Sequence, residues 1–166
     1  TRRSSDLYPP ILRLMGDGAM RLGQWDRARG YYMTYYNLNP RSEDAGTVLA
    51  RIGDAYVRTG RKSAARGVYD KVLADFPKGD AALIAKLRLA EEGIYDAPTM
   101  EQMFEVFNRP YNARPVEVYS HIVKERPDSP LAPMAQLKLA MWQLFNRKYG
   151  DAIQAAQDFV KKFPDD

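Results

Sequence analysis

An all-α fold, a stack of about four helical hairpins with one short inserted helix, is what this sequence predicts. Three observations carry that expectation. Apolar residues recur at three- and four-residue spacing in segment after segment, as in Leu49, Ile52 and Tyr56, then Ala65, Val68, Tyr69, Val72, Leu73 and Phe76. Turn and stop residues fall between them, with Thr59-Gly60 separating the pair and Pro77 closing it. Finally, the hexapeptide Ala-Lys-Leu-Arg-Leu-Ala containing Ala85, Leu87, Leu89 and Ala90 returns as Ala-Gln-Leu-Lys-Leu-Ala with Ala135, Leu137, Leu139 and Ala140.

The central hairpin is the clearest. Gly53 sits inside its first helix, where glycine costs about 0.5–1 kcal/mol relative to alanine. Close approach to Ala65 on the next helix is the expected compensation. Leu49, Ile52, Gly53, Tyr56, Gly60, Ala65, Tyr69 and Pro77 together resemble the tetratricopeptide repeat. That resemblance implies a TPR-like α-α superhelix, a solenoid whose first helices line a concave surface that grips a peptide or protein partner.

Taken in order, residues 1–8 are polar and basic, and Pro9 or Pro10 suits the start of a helix running to about Leu22. Gly16, Gly23, Ala28 and Tyr32 align with Gly53, Gly60, Ala65 and Tyr69, and Trp25 fills the aromatic site after the turn. Tyr31, Tyr32, Tyr35 and Tyr36 are read as packing residues, with peptide or sugar binding the lesser alternative. The repeats are placed at about 9–40, 46–77, 80–127 and 130–164, in a single solenoid spanning 1–166.

Repeat three carries an insertion at 96–114. Within it Thr99 and Gln102 form a capping-box pattern ahead of Met100, Met103, Phe104 and Phe107, a short amphipathic helix. That helix either fills the apolar part of the groove or leaves it to a partner. Pro115 then opens a helix with the stripe Val116, Tyr119, Ile122 and Val123. First helices at about Asp80–Tyr95 and Leu131–Asn146 are expected, and repeat four closes on Tyr149, Ala152, Ile153, Phe159, Val160 and Phe163. It departs from the pattern at Arg147, where glycine is usual, and at Ala156, where an aromatic is usual.

The junctions Pro40-Arg41-Ser42 and Pro127-Asp128-Ser129, each leading to alanines, resemble a subfamily of bacterial envelope proteins, BamD-like lipoproteins of outer-membrane assembly. The resemblance implies the periplasm or the periplasmic face of the outer membrane, with the cytoplasm as the alternative. Phe163-Pro164-Asp165-Asp166 echoes Phe76-Pro77-Lys78-Gly79-Asp80, so the chain is read as a piece of a longer protein, any leader or lipid-anchor cysteine lying outside it.

Composition argues against chemistry. There is no cysteine and one histidine, His121, expected to face solvent, so no catalytic residue, metal site or cofactor is assigned. The carboxylate pairs Glu91/Glu92, Glu101/Glu105 and Asp165/Asp166 are neighbours or lie on polar faces. The net charge of +4 comes from dispersed arginines, and the cluster Arg58, Arg61, Lys62 and Arg66 is read as a solvated turn, so no nucleic-acid partner is expected. No apolar run is long enough to span a membrane.

Carried over from the resemblance, the partner-binding groove comprises Arg13, Asp17, Arg21, Ala50, Asp54 and Arg58, a charged half, then Leu87, Glu91, Ile94, Tyr95, Met134, Leu137, Met141, Leu144 and Phe145, an apolar half. The leading reading is a non-enzymatic interaction scaffold. The alternatives are a structural spacer or self-association module working through exposed terminal repeats, or a peptidoglycan- or glycan-binding domain.

Overall fold

Among the residues that this computed structural model describes, 9–91, 99–109 and 114–164, there are nine α-helices and no strand. The helices are α1 (Pro9–Arg21), α2 (Trp25–Leu38), α3 (Ala45–Arg58), α4 (Lys62–Asp75), α5 (Gly79–Glu91), α6 (Met100–Phe107), α7 (Arg114–Glu125), α8 (Ala132–Phe145) and α9 (Tyr149–Lys162). Successive helices pair as hairpins, α1 with α2, α3 with α4 and α8 with α9, and α2 packs on α3 and α7 on α8. The chain divides into two compact units, one ending at Ala85 and the other beginning at Lys86, so the boundary falls within α5.

In the first unit the hairpins are nearly superposable in chemistry. The turns place Gly23 at φ 69° and Gly60 at φ 76°, the left-handed region that glycine enters without a Cβ penalty. Leu12, Ala28, Tyr32, Val48, Leu49, Ile52, Ala65, Tyr69 and Val72 make the core. At Gly53 the nearest neighbour is the Tyr69 ring. A Cβ on Gly53 would stand 2.5 Å from Cε1 of Tyr69, and one on Gly16 would stand 2.4 Å from Cε1 of Tyr32. Each glycine makes room for a tyrosine ring, because a ring lying flat on a helix needs bare backbone beneath it. Gly46 does the same for Phe76 and Ala81.

The lengthened junctions share one hydrogen-bond pattern. The N–H of Ser42 bonds the carbonyl of Asn39 and that of Ala45 bonds Ser42. Ser129 repeats this with Arg126, and Ala132 with Ser129.

The second unit holds α6. Its capping box is formed as the Thr99/Gln102 pattern predicts, with both reciprocal bonds present. Met103 and Phe107 are buried, and so is Val106, which the predicted stripe omitted. Repeat four folds as a hairpin despite its departures. Arg147 takes the glycine position with φ 59°, the one positive-φ residue other than glycine among the described residues. Of the stripe that ends repeat four, Ala152, Phe159 and Phe163 are half-buried and Tyr149, Ile153 and Val160 are exposed. No residue of α9 is buried, and Ile153 and Val160 are 60% and 65% exposed. Nothing that follows α9 among the described residues covers that face.

Candidate functional site

The acids predicted to face a partner turn inward. Asp17 accepts a 2.6 Å hydrogen bond from the hydroxyl of Tyr32, Asp54 one of 2.8 Å from Tyr69, and Glu91 Oε1 one of 2.5 Å from Tyr119. In the first two hairpins, then, a tyrosine of the second helix ties its hydroxyl to a carboxylate of the first, and Tyr119 of α7 does the same with Glu91 of α5. The ring crosses the small residue that precedes the acid, Gly16 or Gly53, which is why glycine and acid stand side by side. Burial, then the bond to Asp17, pushes the Tyr32 phenol above its ordinary value. Tyr119 is pushed the same way by burial and by the charge of Glu91.

A base from the neighbouring hairpin adds to this. Lys138 of α8 donates at 2.7 Å to Glu91 Oε1, with the two side chains 3% and 0% exposed. Its ammonium also lies 5.6 Å from the centroid of the Tyr119 ring. Glu91 Oε2 is buried with no hydrogen-bond partner. In the first unit, Arg51 reaches Asp54 at 3.5 Å and its charge opposes the rise at Tyr32.

These contacts correct the predicted groove. Ala50, Asp54, Leu87 and Glu91 are buried and present nothing to a partner. Ile94 and Tyr95 lie outside the described residues. Arg13, Arg21 and Arg58 are partly or fully exposed, with Arg13 paired to Asp44 at 3.0 Å and Arg58 lying 5.4 Å over the Trp25 ring. Asp17 keeps some exposure, but its Oδ1 is held by Tyr32.

The apolar set on α8 behaves differently. Met134, Leu137, Met141 and Phe145 are half-buried and Leu144 is 39% exposed. The α6 helix packs on α8. Phe107 meets Trp142 edge-on at 5.0 Å and Phe145 at 5.6 Å, while Phe104 meets Phe145 edge-on at 5.3 Å. Trp142 and Phe145 stack at 5.7 Å. The inserted helix therefore occupies part of the surface assigned to a partner, by the aromatic residues that its 3.6-residue period exposes on one side.

Sequence reasoning placed Phe145 and the two phenylalanines of α6 but missed Trp142 and Lys138. Lys138 had a signal: it stands where Arg51 and Arg88 stand in earlier repeats, three residues before the position of the acid. The tyrosine–acid bonds had one too, since Asp17 and Tyr32, and Asp54 and Tyr69, are each 15 residues apart. His121 is exposed, and no group of three or more metal-ligating side chains exists among the described residues. No described helix is long and apolar enough to cross a membrane.

Two family models, both described as tetratricopeptide repeat, match this chain, one over residues 13–80 and the other over 134–166, together more than half of its length. No curated protein matches it.

Proposed function

We propose that this chain, a tetratricopeptide-repeat protein, is a scaffold whose α8 face receives an apolar helical segment of a protein partner, with α6 as the chain's own occupant of part of that face. Tetratricopeptide repeats generally mediate protein–protein interactions and are typically non-enzymatic, which supports the class of function. The observation that carries the finer reading is the aromatic seat on α8. Trp142 and Phe145 accept Phe104 and Phe107 from a helix of only eight residues. Beside them Leu144 remains exposed and Met141 half-buried, an adaptable thioether among apolar neighbours. A seat that already holds one amphipathic helix has the shape and polarity for another.

The test uses the full chain with Phe104→Asp, which weakens the hold of α6 at a half-buried position. A synthetic peptide of residues 99–109 is titrated while Trp142 fluorescence is followed. Saturable binding to the Phe104→Asp chain, tighter than to wild type and lost on adding Leu144→Asp, is the expected result. An opened chain that ignores the peptide sinks the proposal.

A bacterial envelope setting is a further part of this reading. It is supported by the two Ser42- and Ser129-centred junctions, which share one bonding pattern, and is tested by fractionating cells that express this protein. Recovery in the cytosol alone removes it.

A further inference from the structure

In the first unit the turns within hairpins stand at one end of the helices and the junctions between hairpins at the other. Charge is divided unevenly between these ends. From five residues before each turn glycine, Gly23 or Gly60, to six after it, the stretches 18–29 and 55–66 hold seven basic residues and one acid, Asp26. These two turns carry more positive charge than the whole chain, whose net is +4. The junctions 37–46 and 75–80 hold two basic residues and four acids.

The one acid at the turn end is already engaged, with Arg29 at 2.7 Å. Arg61, Lys62 and Arg66 are exposed and have no ion-pair partner among the described residues. Arg27 is exposed and donates at 2.9 Å to Gln24 in its own turn. Arg13, Arg51 and Lys71, away from the turns, each have a carboxylate.

Fold stability does not account for this cluster. A helix begins at its positive end, where acids stabilise and cations are repelled. Helices α2, α7 and α9 each carry an acid in the first turn, whereas α4 carries none and opens on Arg61 and Lys62, with no side-chain cap from Arg61. The N–H groups of that first turn therefore add to the positive charge instead of being offset.

Geometry narrows what the cluster can meet. Arg58 of α3 lies 5.4 Å over the Trp25 ring of α2 and so bridges the two turns, while Arg29 lies 4.9 Å over the Tyr56 ring. The basic residues project from this closed edge rather than line a trough that an acidic peptide could enter. Each ring gives a face to an arginine, whereas single-stranded nucleic acid wants rings open to stack on its bases. A broad anionic surface can meet both turns at once.

We propose that the turn edge of the first two hairpins, through Arg27, Arg61, Lys62 and Arg66, docks on the surface of an anionic phospholipid bilayer. The guanidinium and ammonium groups donate to phosphate oxygens of the headgroups, the arginines through their planar fork. The half-buried Trp25 ring lies at the same level, where its amphipathic ring suits the boundary between headgroups and water. Each cation near such a surface adds about fivefold to affinity, and salt weakens the attraction. The contact does not use α8.

Sedimentation of the full chain with phosphatidylcholine vesicles, with and without about one third phosphatidylglycerol, tests this. Wild type is expected to bind the anionic vesicles and not the neutral ones, and to bind less as salt is raised. Arg61→Ala with Lys62→Ala, both at exposed positions, is expected to weaken that binding about twentyfold. Arg41→Ala with Lys78→Ala, which removes the same charge from exposed positions at the junction end, is expected to weaken it by less than about twofold. A wild type that ignores the anionic vesicles overturns the proposal. So does an equal loss in the two pairs, which would assign binding to net charge alone. Tighter binding to polyglutamate or to single-stranded DNA than to the vesicles overturns it as well, because the partner would then be a polyanion in solution.

Discussion

The ring of Tyr69 occupies the place where a side chain on Gly53 would begin, with Cε1 of the ring 2.5 Å from that Cβ position. The hydroxyl at the far end of the same ring bonds Asp54, the residue next to the glycine. One tyrosine thus uses both the absence of a side chain and the presence of the following one.

Gly53→Ala is therefore expected to destabilise the fold, although alanine is the better helix former. Overpacking against a buried ring costs about 1–3 kcal/mol, which exceeds the gain in helix propensity of about 1 kcal/mol. Gly67 lies within α4 with open space around its Cβ position, so Gly67→Ala is expected to stabilise by about 0.5–1 kcal/mol. Urea unfolding of the two variants should give opposite signs. A stabilised Gly53→Ala chain is incompatible with this packing.

Arg147 holds φ 59° in a turn where the other hairpins use glycine. A non-glycine residue in this region costs about 1–2 kcal/mol, part of which glycine returns through the entropy of its unfolded chain. Arg147→Gly is expected to raise stability by up to about 1 kcal/mol, and Gly60→Ala, which meets no neighbour but keeps φ 76°, to lower it by about as much. Thermal melts of both decide it, and a destabilised Arg147→Gly would mean that the arginine side chain holds the turn.

Glu91 and Lys138 are buried together, so their removal should be strongly non-additive. Lys138→Met alone leaves a carboxylate stranded, a loss of about 3–5 kcal/mol. Adding Glu91→Gln removes that charge while an amide oxygen still accepts the Tyr119 hydroxyl, and most of the loss is expected to return. A double-mutant cycle in denaturant measures the coupling. Additive losses would show that the two groups do not share one site.

The phenols of Tyr32 and Tyr119 titrate above their ordinary value in the folded chain because burial and neighbouring carboxylates oppose a phenolate. The unfolded chain begins to lose the same protons near pH 10. Below that pH the contribution is complete. As the pH rises above it the unfolded state binds fewer protons than the folded state, so stability falls, by about 1.4 kcal/mol per pH unit for each phenol. Tyr119→Phe is expected to flatten the decline between about pH 10 and 12, measured by unfolding at fixed pH steps. An unchanged slope would place that phenol in water.

Much of the architecture was legible in local spacing. Turn glycines, the capping box of Thr99 and Gln102, and the helical period of the apolar residues are properties of a few adjacent residues, and helices, box and turns formed where that spacing predicted, although the α9 stripe is not buried. The groove was less legible. Family positions distinguish the first helix from the second, but not an acid that faces solvent from one that turns back to a tyrosine. Asp54 and Glu91 were therefore assigned outward and lie buried.

The sequence by itself determined the helices, their order and the hairpin unit, because hydrogen bonds and side-chain periods within a helix need only neighbours along the chain. Tertiary packing decided that the Tyr69 ring lies on Gly53, that Lys138 reaches Glu91 across 47 residues, and that α6 sits on Trp142 and Phe145. Those outcomes depend on which surfaces meet once the helices exist. Volume and buried charge are settled only when two surfaces close on each other.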